Sequence, residues 1–490
     1  MQAFLKFFKG SDGPKQSNLL QEGPPDIYKI PLKEEKIKGK GCKRFSFGKE
    51  PHKPNRTIMV MGATGAGKST LINGMINYIL GVKWEDSYRF KLVDEGQSTS
   101  QAHSQTSEVT VYKINHQVGF TEPFSLTIID TPGFGDTRGI DRDKLITEQL
   151  RNLFSDPHGV SEIDAVCFVV QASLARLTPS QKYVFDSVLS IFGKDVAENI
   201  RVLVTFADGQ CPPVLEAITE SDVPCPKTKA GLPVHFKFNN SALFAHNNPS
   251  EAKSTGGDDD DDDDDDDGGS FDKMFWDMGT SSMKKFFAAL TKIKTKSLTL
   301  TQQVLRERQQ LEVSVDNLQL QVKFGLAKLE EIKETSEKLK EHEAEISRNE
   351  NVHHNQKYRF WYEDVTEKRT IQDLKEKYEE AKGEKLTVQG VIDRLKAEYD
   401  DVQAEVVRLM ETSAECLNRL KEIALKPNPL STPEYIDMLI EGEKSEAKPG
   451  WNQRVQSLIS MRQKAEYMAR VERGEKLLDH QESLDSASPQ

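Results

Sequence analysis

Residues Gly62-Ala63-Thr64-Gly65-Ala66-Gly67-Lys68-Ser69-Thr70 fit the pattern G-x-x-x-x-G-K-[ST], and nothing else in the 490-residue chain restricts its fold as strongly. Glycines in such a run let the backbone curl until successive N–H groups point inward at phosphate oxygens. A helix that follows adds the positive end of its dipole. Lys68 supplies a point charge to the β- and γ-phosphates, and the Ser69 hydroxyl can ligate Mg²⁺. The pattern needs a strand before it and a helix after it. The apolar run 58–61 and the stretch Leu71-Ile72-Asn73-Gly74-Met75 provide both.

A second motif lies about sixty residues downstream, as a phosphate loop requires. Ile128-Ile129-Asp130-Thr131-Pro132-Gly133 ends an apolar strand on an acid and follows it with D-x-x-G. Asp130 is placed to hold a water on Mg²⁺, and the Gly133 N–H to sense a γ-phosphate. The apolar runs 58–61, 124–129, 163–170, 202–206 and 234–238 read as strands separated by 30–70 residues. Crossover connections of that length predict a mainly parallel sheet with helices between strands. One helix is marked clearly: Thr178-Pro179 opens it, Tyr183, Val184, Val188, Ile191 and Phe192 line one face, and Gly193 closes it.

Beyond this region the texture changes. No proline occurs between Pro249 and Pro427, and apolar residues fall into steps of three and four. One seam runs Leu311, Val315, Leu318, Val322, Leu329, Ile332, Leu339 and Ile346, with interruptions at Gly325, Ser336 and Glu343. A second runs Ile392, Leu395, Tyr399, Val402, Val406, Leu409, Ser413, Cys416, Leu420 and Ile423. The polar stretch 349–355 separates them, so two long helices are expected, folded back as a hairpin or paired with another chain. Packing is the ordinary meaning of such stripes.

Charge and composition exclude several function classes. The chain carries 66 basic and 78 acidic residues, a net −12, but ten acids form one run at 258–267 and the remainder stands at −2. With no strongly basic segment, a phosphate-backbone grip on nucleic acid is not expected. The longest apolar runs are strand-length, so no transmembrane span is expected. Phe4, Leu5, Phe7 and Phe8 with Lys6 and Lys9 offer one short amphipathic turn. Ten residues bury little area, so a disordered arm is the expectation and peripheral membrane contact the alternative. Five scattered cysteines with no C-x-x-C spacing indicate neither disulfides nor zinc, and a reducing, cytoplasmic setting. The aspartate run, flanked by Gly-Gly pairs, reads as a solvated loop.

The passages GATGAGKSTLINGMINY, IIDTPGFGDTRG, ARLTPSQKYVFDSVLSIFG, VLVTFAD and FNNSALF resemble GTPases of the septin and immunity-associated (IMAP) group over residues 56–297. The stretch 428–466 resembles relatives that join this module to a coiled coil. Many of those relatives carry a Cys/His-rich insert in the coil. This chain has no cysteine between 226 and 415, so no zinc site is transferred to His353 or His354.

The resemblance implies the remaining assignments. Thr106 would join Ser69 and Asp130 on Mg²⁺, with Ser98, Thr99 and Thr110 as competing candidates. Asp208, at the end of Thr205-Phe206-Ala207-Asp208, would read guanine by accepting from its N1–H and exocyclic amine. The usual N-K-x-D is altered, with Thr205 for Asn and Phe206 for Lys. Asn240, in Asn239-Asn240-Ser241-Ala242, matches the last base-contacting loop. Ras-like enzymes place a glutamine just after D-x-x-G. Here Gly133 is followed by Phe134, Gly135 and Asp136, so slow intrinsic hydrolysis is expected and no catalytic residue is assigned.

The expected architecture is an α/β P-loop GTPase domain at 56–297, with an acidic disordered loop at 250–270. A flexible arm at 1–55 precedes it. A helical coiled coil or hairpin at 298–425 and a helical C-terminal segment at 426–490 follow it. The expected function is a GTP/GDP- and Mg²⁺-dependent switch that self-associates through its G domain or coiled coil, or docks a partner. The alternative is a coiled-coil scaffold whose nucleotide domain does not turn over.

Overall fold

The computed structural model describes residues 18–37, 41–94, 107–135, 140–176, 178–247, 268–349, 388–427, 431–447 and 450–478. Strands Leu19–Gln21 (β1), Asp26–Lys29 (β2), Lys33–Glu35 (β3), Cys42–Phe47 (β4) and Asn55–Gly62 (β5) lead to helix Lys68–Ile79 (α1). Next come Tyr88–Lys91 (β6), Val109–Ile114 (β7), Ser125–Asp130 (β8) and Ile140–Ser155 (α2). Glu162–Ile163 (β9), Ala165–Gln171 (β10), Pro179–Ser190 (α3), Ile200–Thr205 (β11) and Val214–Glu220 (α4) follow. His235–Lys237 (β12), Gly268–Leu290 (α5) and Lys296–Ser297 (β13) complete the α/β part. Among the described residues, four helices follow: Thr299–Asn349 (α6), Val388–Ile423 (α7), Pro433–Glu446 (α8) and Trp451–Glu472 (α9).

Eight strands form the main sheet in the order β12-β11-β10-β5-β8-β7-β4-β3. The five strands expected from apolar runs are its five mutually parallel members, β12 to β8. Beyond them β7 runs antiparallel to β8, β4 parallel to β7 and β3 antiparallel to β4, so the sheet is mixed and mostly parallel. Alternation along each central strand divides its side chains between two cores. Met59, Met61, Ile129, Phe168 and Val202 face one side; Ile58, Val60, Ile128, Cys167 and Leu203 face the other. Leu71, Ile72, Met75 and Ile76 of α1, with Phe286 and Phe287 of α5, cover the second face. Ile146 and Leu150 of α2, Tyr183 and Val188 of α3, and Leu215 of α4 cover the first. This is the two-sided burial that near-continuous apolar strands require.

The arm expected at 1–55 needs correction over its described part. β4 pairs residue for residue with β7, and Phe45 stacks on Tyr112 at 5.9 Å. β1 and β2 build a small sheet with β6. The glycines and lysines that suggested a solvated segment hide β2 and β4, whose partners β6 and β7 lie 60–70 residues away, a pairing that local pattern does not record. Residues 1–17, the aspartate run, His353, His354 and the aromatic stretch 358–362 lie outside the described residues.

Contacts divide the chain into two compact units that interleave in sequence. One comprises 1–309 with 416–466, the other 310–415 with 467–490, whereas the expected boundaries ran consecutively. In the first unit the C-terminal helices belong to the core: Ile436, Leu439, Val455, Leu458 and Met461 join the cluster that covers α2 and α3. Asp186 of α3 accepts from Lys182 at 2.6 Å and from the Tyr435 hydroxyl at 3.3 Å, fixing α8 against α3. α3 itself starts as expected, with Thr178 and Gln181 forming a reciprocal capping box and Pro179 in the first turn. Such a cap is worth about 1 kcal/mol.

In the second unit α6 and α7 run antiparallel. Ser314 Oγ donates to Leu409 O at 3.1 Å, Ser413 Oγ to Ser314 Oγ at 2.9 Å, and Lys328 Nζ pairs with Glu398 at 2.9 Å. Leu311, Val315, Leu318, Val322 and Ile332 are buried together with Ile392, Tyr399, Val402, Val406 and Leu409. Within this chain the two helices thus pack against each other. Gly325 breaks the heptad because a Cβ there would come within 2.7 Å of Leu478, whose side chain packs into the gap.

Candidate functional site

The nine-residue loop lies between β5 and α1, at the ends of β5, β8, β10 and β11. Gly67 is the N-cap of α1 with φ 82°, a left-handed conformation that a side chain resists. Lys68 is 7% exposed, and its ammonium donates to Gly62 O at 3.2 Å and Ala63 O at 2.9 Å. The charge is therefore held across the mouth of the loop. Gln171 Nε2 donates to Gly65 O at 2.9 Å, and Thr205 Oγ1 donates to Ala66 O at 2.8 Å and lies 3.1 Å from Val170 O. Gly62, Ala63, Thr64, Gly65, Ala66, Gly67, Lys68, Ser69 and Thr70 thus form one rigid turn, with Ser69 and Thr70 already in α1.

The D-x-x-G segment is zipped onto this turn. Phe134 N donates to Gly62 O at 3.1 Å and Thr64 N to Phe134 O at 3.0 Å, so 133–134 runs beside 63–64 as a parallel bridge. The approach is close enough that a Cβ on Gly133 would sit 2.4 Å from Thr64 Oγ1 and 2.5 Å from Thr64 Cα. Asp130 ends β8 opposite Val60 and is fully buried. Thr131 Oγ1 donates to Val60 O at 2.9 Å and fixes the strand end. Gly135 N is received by the Asp143 carboxylate at 3.2 and 3.3 Å. The Tyr183 phenol is pushed well above its ordinary range, first by burial and then by Asp143.

The hard-oxygen set fits a divalent cation of the Mg²⁺ kind. Asp130 is a fully buried carboxylate at the end of β8, Ser69 brings a hydroxyl to the first turn of α1, and the Thr64 hydroxyl is buried without a hydrogen-bond partner. Among the described residues no group of three or more His, Cys, Asp or Glu could hold a metal ion. Mg²⁺ needs no such cage, since one carboxylate, a hydroxyl and substrate phosphates suffice. Thr106, Ser98 and Thr99 lie outside the described residues. Thr110 lies in β7 directly opposite Asp130, but its hydroxyl donates to Glu108 O at 3.3 Å.

Two loops meet on the other side of the turn. Asp208 is exposed, and its Oδ1 accepts from Gln210 N at 2.9 Å, an Asx-type turn that presents the carboxylate at the surface. Lys237 Nζ donates to Gly209 O at 2.7 Å. Asn239, rather than Asn240, joins this loop, its Nδ2 donating to Ala207 O at 3.2 Å. Asn240 begins a short 3₁₀ turn (240–244) with its Oδ1 facing Gly74 of α1. Thr205 ties the end of β11 to the phosphate loop through Ala66 O, a bond that the sequence pattern did not reveal. Asn73 and Asn77 of α1 are likewise buried and bonded to the backbone of 90–93, which holds the strand leading towards 95–106.

A cavity of about 310 Å³ opens beside the turn, walled by Thr64, Phe134, Asp143 and Tyr183 and by Glu443 and Arg454 of α8 and α9. Arg454 is held there by Glu443 at 2.9 Å. Nothing in the motif spacing pointed to residues nearly 400 positions away.

Residues 56–222 match the model of the AIG1 family. A Chlamydomonas reinhardtii protein, "Translocase of chloroplast 34 homolog, chloroplastic", is 29% identical over 158 residues, covering 32% of this chain and 36% of that protein. The chain thus spans about a third of the length of this curated relative. Among solved structures, Toc33 from Arabidopsis thaliana in complex with Mg²⁺ and GMPPNP is 17% identical, with a TM-score of 0.26, over 39% of this chain and 72% of that one. A structure of chloroplast translocon components, for which dimerization is described as important for GTPase activity, is 14% identical, with a TM-score of 0.29, over 50% and 86%.

Proposed function

We propose that this protein binds GTP and GDP with Mg²⁺, hydrolyses GTP slowly, and uses the difference between the two states as a switch. The observation that carries the reading is the D-x-x-G backbone zipped against the phosphate loop. Phe134 bonds Gly62 and Thr64, which supports the reading that the neighbouring Gly133 N–H meets a third phosphate. GTP and GDP differ by that phosphate alone, so a segment held there by two hydrogen bonds responds to it. Lys68 would hold the β- and γ-phosphates. Ser69, Asp130 and Thr106 would hold Mg²⁺, which supplies neutralisation of charge on the phosphates. Asp208 would read the guanine edge, and Asn240 would border the base.

The slow rate is inferred from the residues that follow Gly133. Phe134 is 1% exposed and packed into the core, so it orients no water. The missing group then comes from another copy, a partner, or nowhere, and the last case is the scaffold alternative. We also place the switch in the coiled-coil subgroup of the IMAP-like proteins and in the cytoplasm, readings supported by the helical hairpin and by five well-separated free cysteines.

Phosphate release under multiple turnover, measured against protein concentration, tests the reading. GTP-dependent release that Lys68→Ala abolishes supports it, and a rate per molecule that rises with concentration supports self-association. Bound nucleotide with no release at any concentration leaves the scaffold.

A further inference from the structure

At the end of the main sheet away from the phosphate loop, one apolar face turns polar. Side chains on a strand alternate between faces, so Thr57, Thr127 and Lys113 share the face of Met59, Ile129 and Val111. Register sets them in one row: Thr57 opposite Thr127, Thr127 opposite Lys113, and Lys113 opposite Ser46. Asn55 opposite Ser125 begins the next row, and Asn115 follows two residues after Lys113. A sheet buried on both faces calls for continuous apolar strands, and here β5, β8, β7 and β4 depart from that together.

These side chains wall a cleft of about 250 Å³, completed by residues 159–162. Asn115 is 3% exposed; its Nδ2 donates to Gly48 O at 3.1 Å, while its Oδ1 is buried with no hydrogen-bond partner. A buried amide oxygen left unpaired is costly, so it favours a donor that enters the cleft. The Thr57 hydroxyl accepts from Asn55 Nδ2 at 3.2 Å and the Ser125 hydroxyl from His116 N at 3.0 Å, so each keeps a proton to give. Lys113 Nζ meets the Glu50 carboxylate at 2.5 Å, and the Glu50 side chain is 76% exposed. An acid that reaches the ammonium from solvent shows how an oxyanion docks there. Lys53 adds a second ammonium to the wall and Glu162 a second carboxylate, whereas Arg44 is taken up by Glu35 at 3.1 Å.

We propose that this cleft binds a small oxyanion that also carries a hydroxyl group. The oxyanion replaces Glu50 on Lys113 and receives the Thr57 and Ser125 protons, and the ligand's hydroxyl donates to Asn115 Oδ1. Small-molecule sites commonly run to about 300–1,000 Å³, so this cleft takes a molecule smaller than a nucleotide. Phosphate monoesters and hydroxycarboxylates share the required chemistry. The site lies at the far end of the strands from the phosphate loop and does not depend on nucleotide binding.

The test is calorimetric titration of the full-length protein with glycerol phosphate, glycerate, acetate and glycerol, beside thermal melting without ligand. The better of the first two tells a phosphate head from a carboxylate. Acetate, with no hydroxyl, and glycerol, with no charge, should bind more weakly by about 10-fold or more. Lys113→Met should weaken the better ligand by a similar factor, about 10-fold, while Lys113→Arg keeps it. Glu50→Gln frees the ammonium and should strengthen binding, which a merely structural role does not do. Melting of these variants without ligand should stay near wild type, because the Lys113 partner is exposed. The phosphate loop also attracts anions, so Lys68→Ala is the control and should bind the ligand as wild type does. If Lys68→Ala loses the ligand and Lys113→Met keeps it, the anion sits on the phosphate loop and the proposal is overturned. Acetate binding as tightly as glycerate overturns the role of Asn115. Wild-type protein that binds none of the four has a cleft that holds water alone, and the proposal fails.

Discussion

Gly133→Ala is the sharpest single perturbation of the candidate site. The added Cβ would stand 2.4 Å from Thr64 Oγ1, 2.5 Å from Thr64 Cα and 2.7 Å from Thr64 N. Two of these three atoms are backbone, so no rotamer change relieves the overlap. The D-x-x-G segment must instead lift from the phosphate loop, which breaks Phe134 N→Gly62 O at 3.1 Å and Thr64 N→Phe134 O at 3.0 Å. At about 0.5–1.5 kcal/mol each, the two bonds together cost about 1–3 kcal/mol. That corresponds to a loss of roughly 5- to 150-fold in affinity for any ligand that needs the zipped arrangement. GDP, lacking the third phosphate, should bind nearly as to wild type. A non-hydrolysable GTP analogue should bind more weakly by that factor, and single-turnover hydrolysis should fall with it. Competition titration against a fluorescent nucleotide measures both affinities. Adding Thr64→Gly removes the hydroxyl contact but leaves Cα and N in place, so it should restore nothing. Equal affinities for the analogue in wild type and Gly133→Ala, or full rescue by Thr64→Gly, would refute the argument.

Three further outcomes are expected. Asp164 is 1% exposed and accepts from Arg56 at 2.6 Å, Thr57 N at 2.7 Å and Thr295 Oγ1 at 2.7 Å, joining β5 to the turn after α5. Asp164→Ala leaves Arg56 without its carboxylate and should cost about 3–5 kcal/mol, lowering the melting temperature on the order of 10 °C; a change within about 2 °C contradicts the assignment. Asp208→Asn should weaken GTP and favour xanthosine triphosphate, each by roughly 100-fold or more, because donor and acceptor are exchanged at the base edge. Unchanged GTP affinity would show that Asp208 does not read the base. Burial pushes the Cys167 thiol up to about 12 and the Cys42 thiol to about 11. Since the thiolate is the nucleophile, both should stay protonated and unreactive at pH 8, while exposed Cys211 is alkylated first. Mass spectrometry showing Cys167 labelled as fast as Cys211 would contradict this.

What could be read in advance follows the range of the interaction concerned. The phosphate loop was legible because its function resides in backbone conformation, and glycines at fixed spacing announce it locally. The five central strands were legible because burial on both faces demands continuous apolar runs. The helical seam was legible as well: Leu311, Val315, Leu318, Val322, Ile332, Ile392, Tyr399, Val402, Val406 and Leu409 are all buried. Thr205 was read as a departure from N-K-x-D, and its bond to Ala66 O, which ties β11 to the phosphate loop, is visible only in the fold. β4 was missed because Cys42–Phe47 has little apolar pattern of its own and is held by its pairing with β7.

By itself, then, the sequence determined the phosphate cradle, the parallel centre of the sheet and the two helical seams, each set by residues close together in the chain. Tertiary structure alone decided that 433–466 joins the core beside α3, that Gly133 lies against Thr64, and that Thr57, Thr127, Lys113 and Ser46 form one row. Those outcomes depend on contacts between segments tens to hundreds of residues apart, whose free energy appears only when both partners are in place.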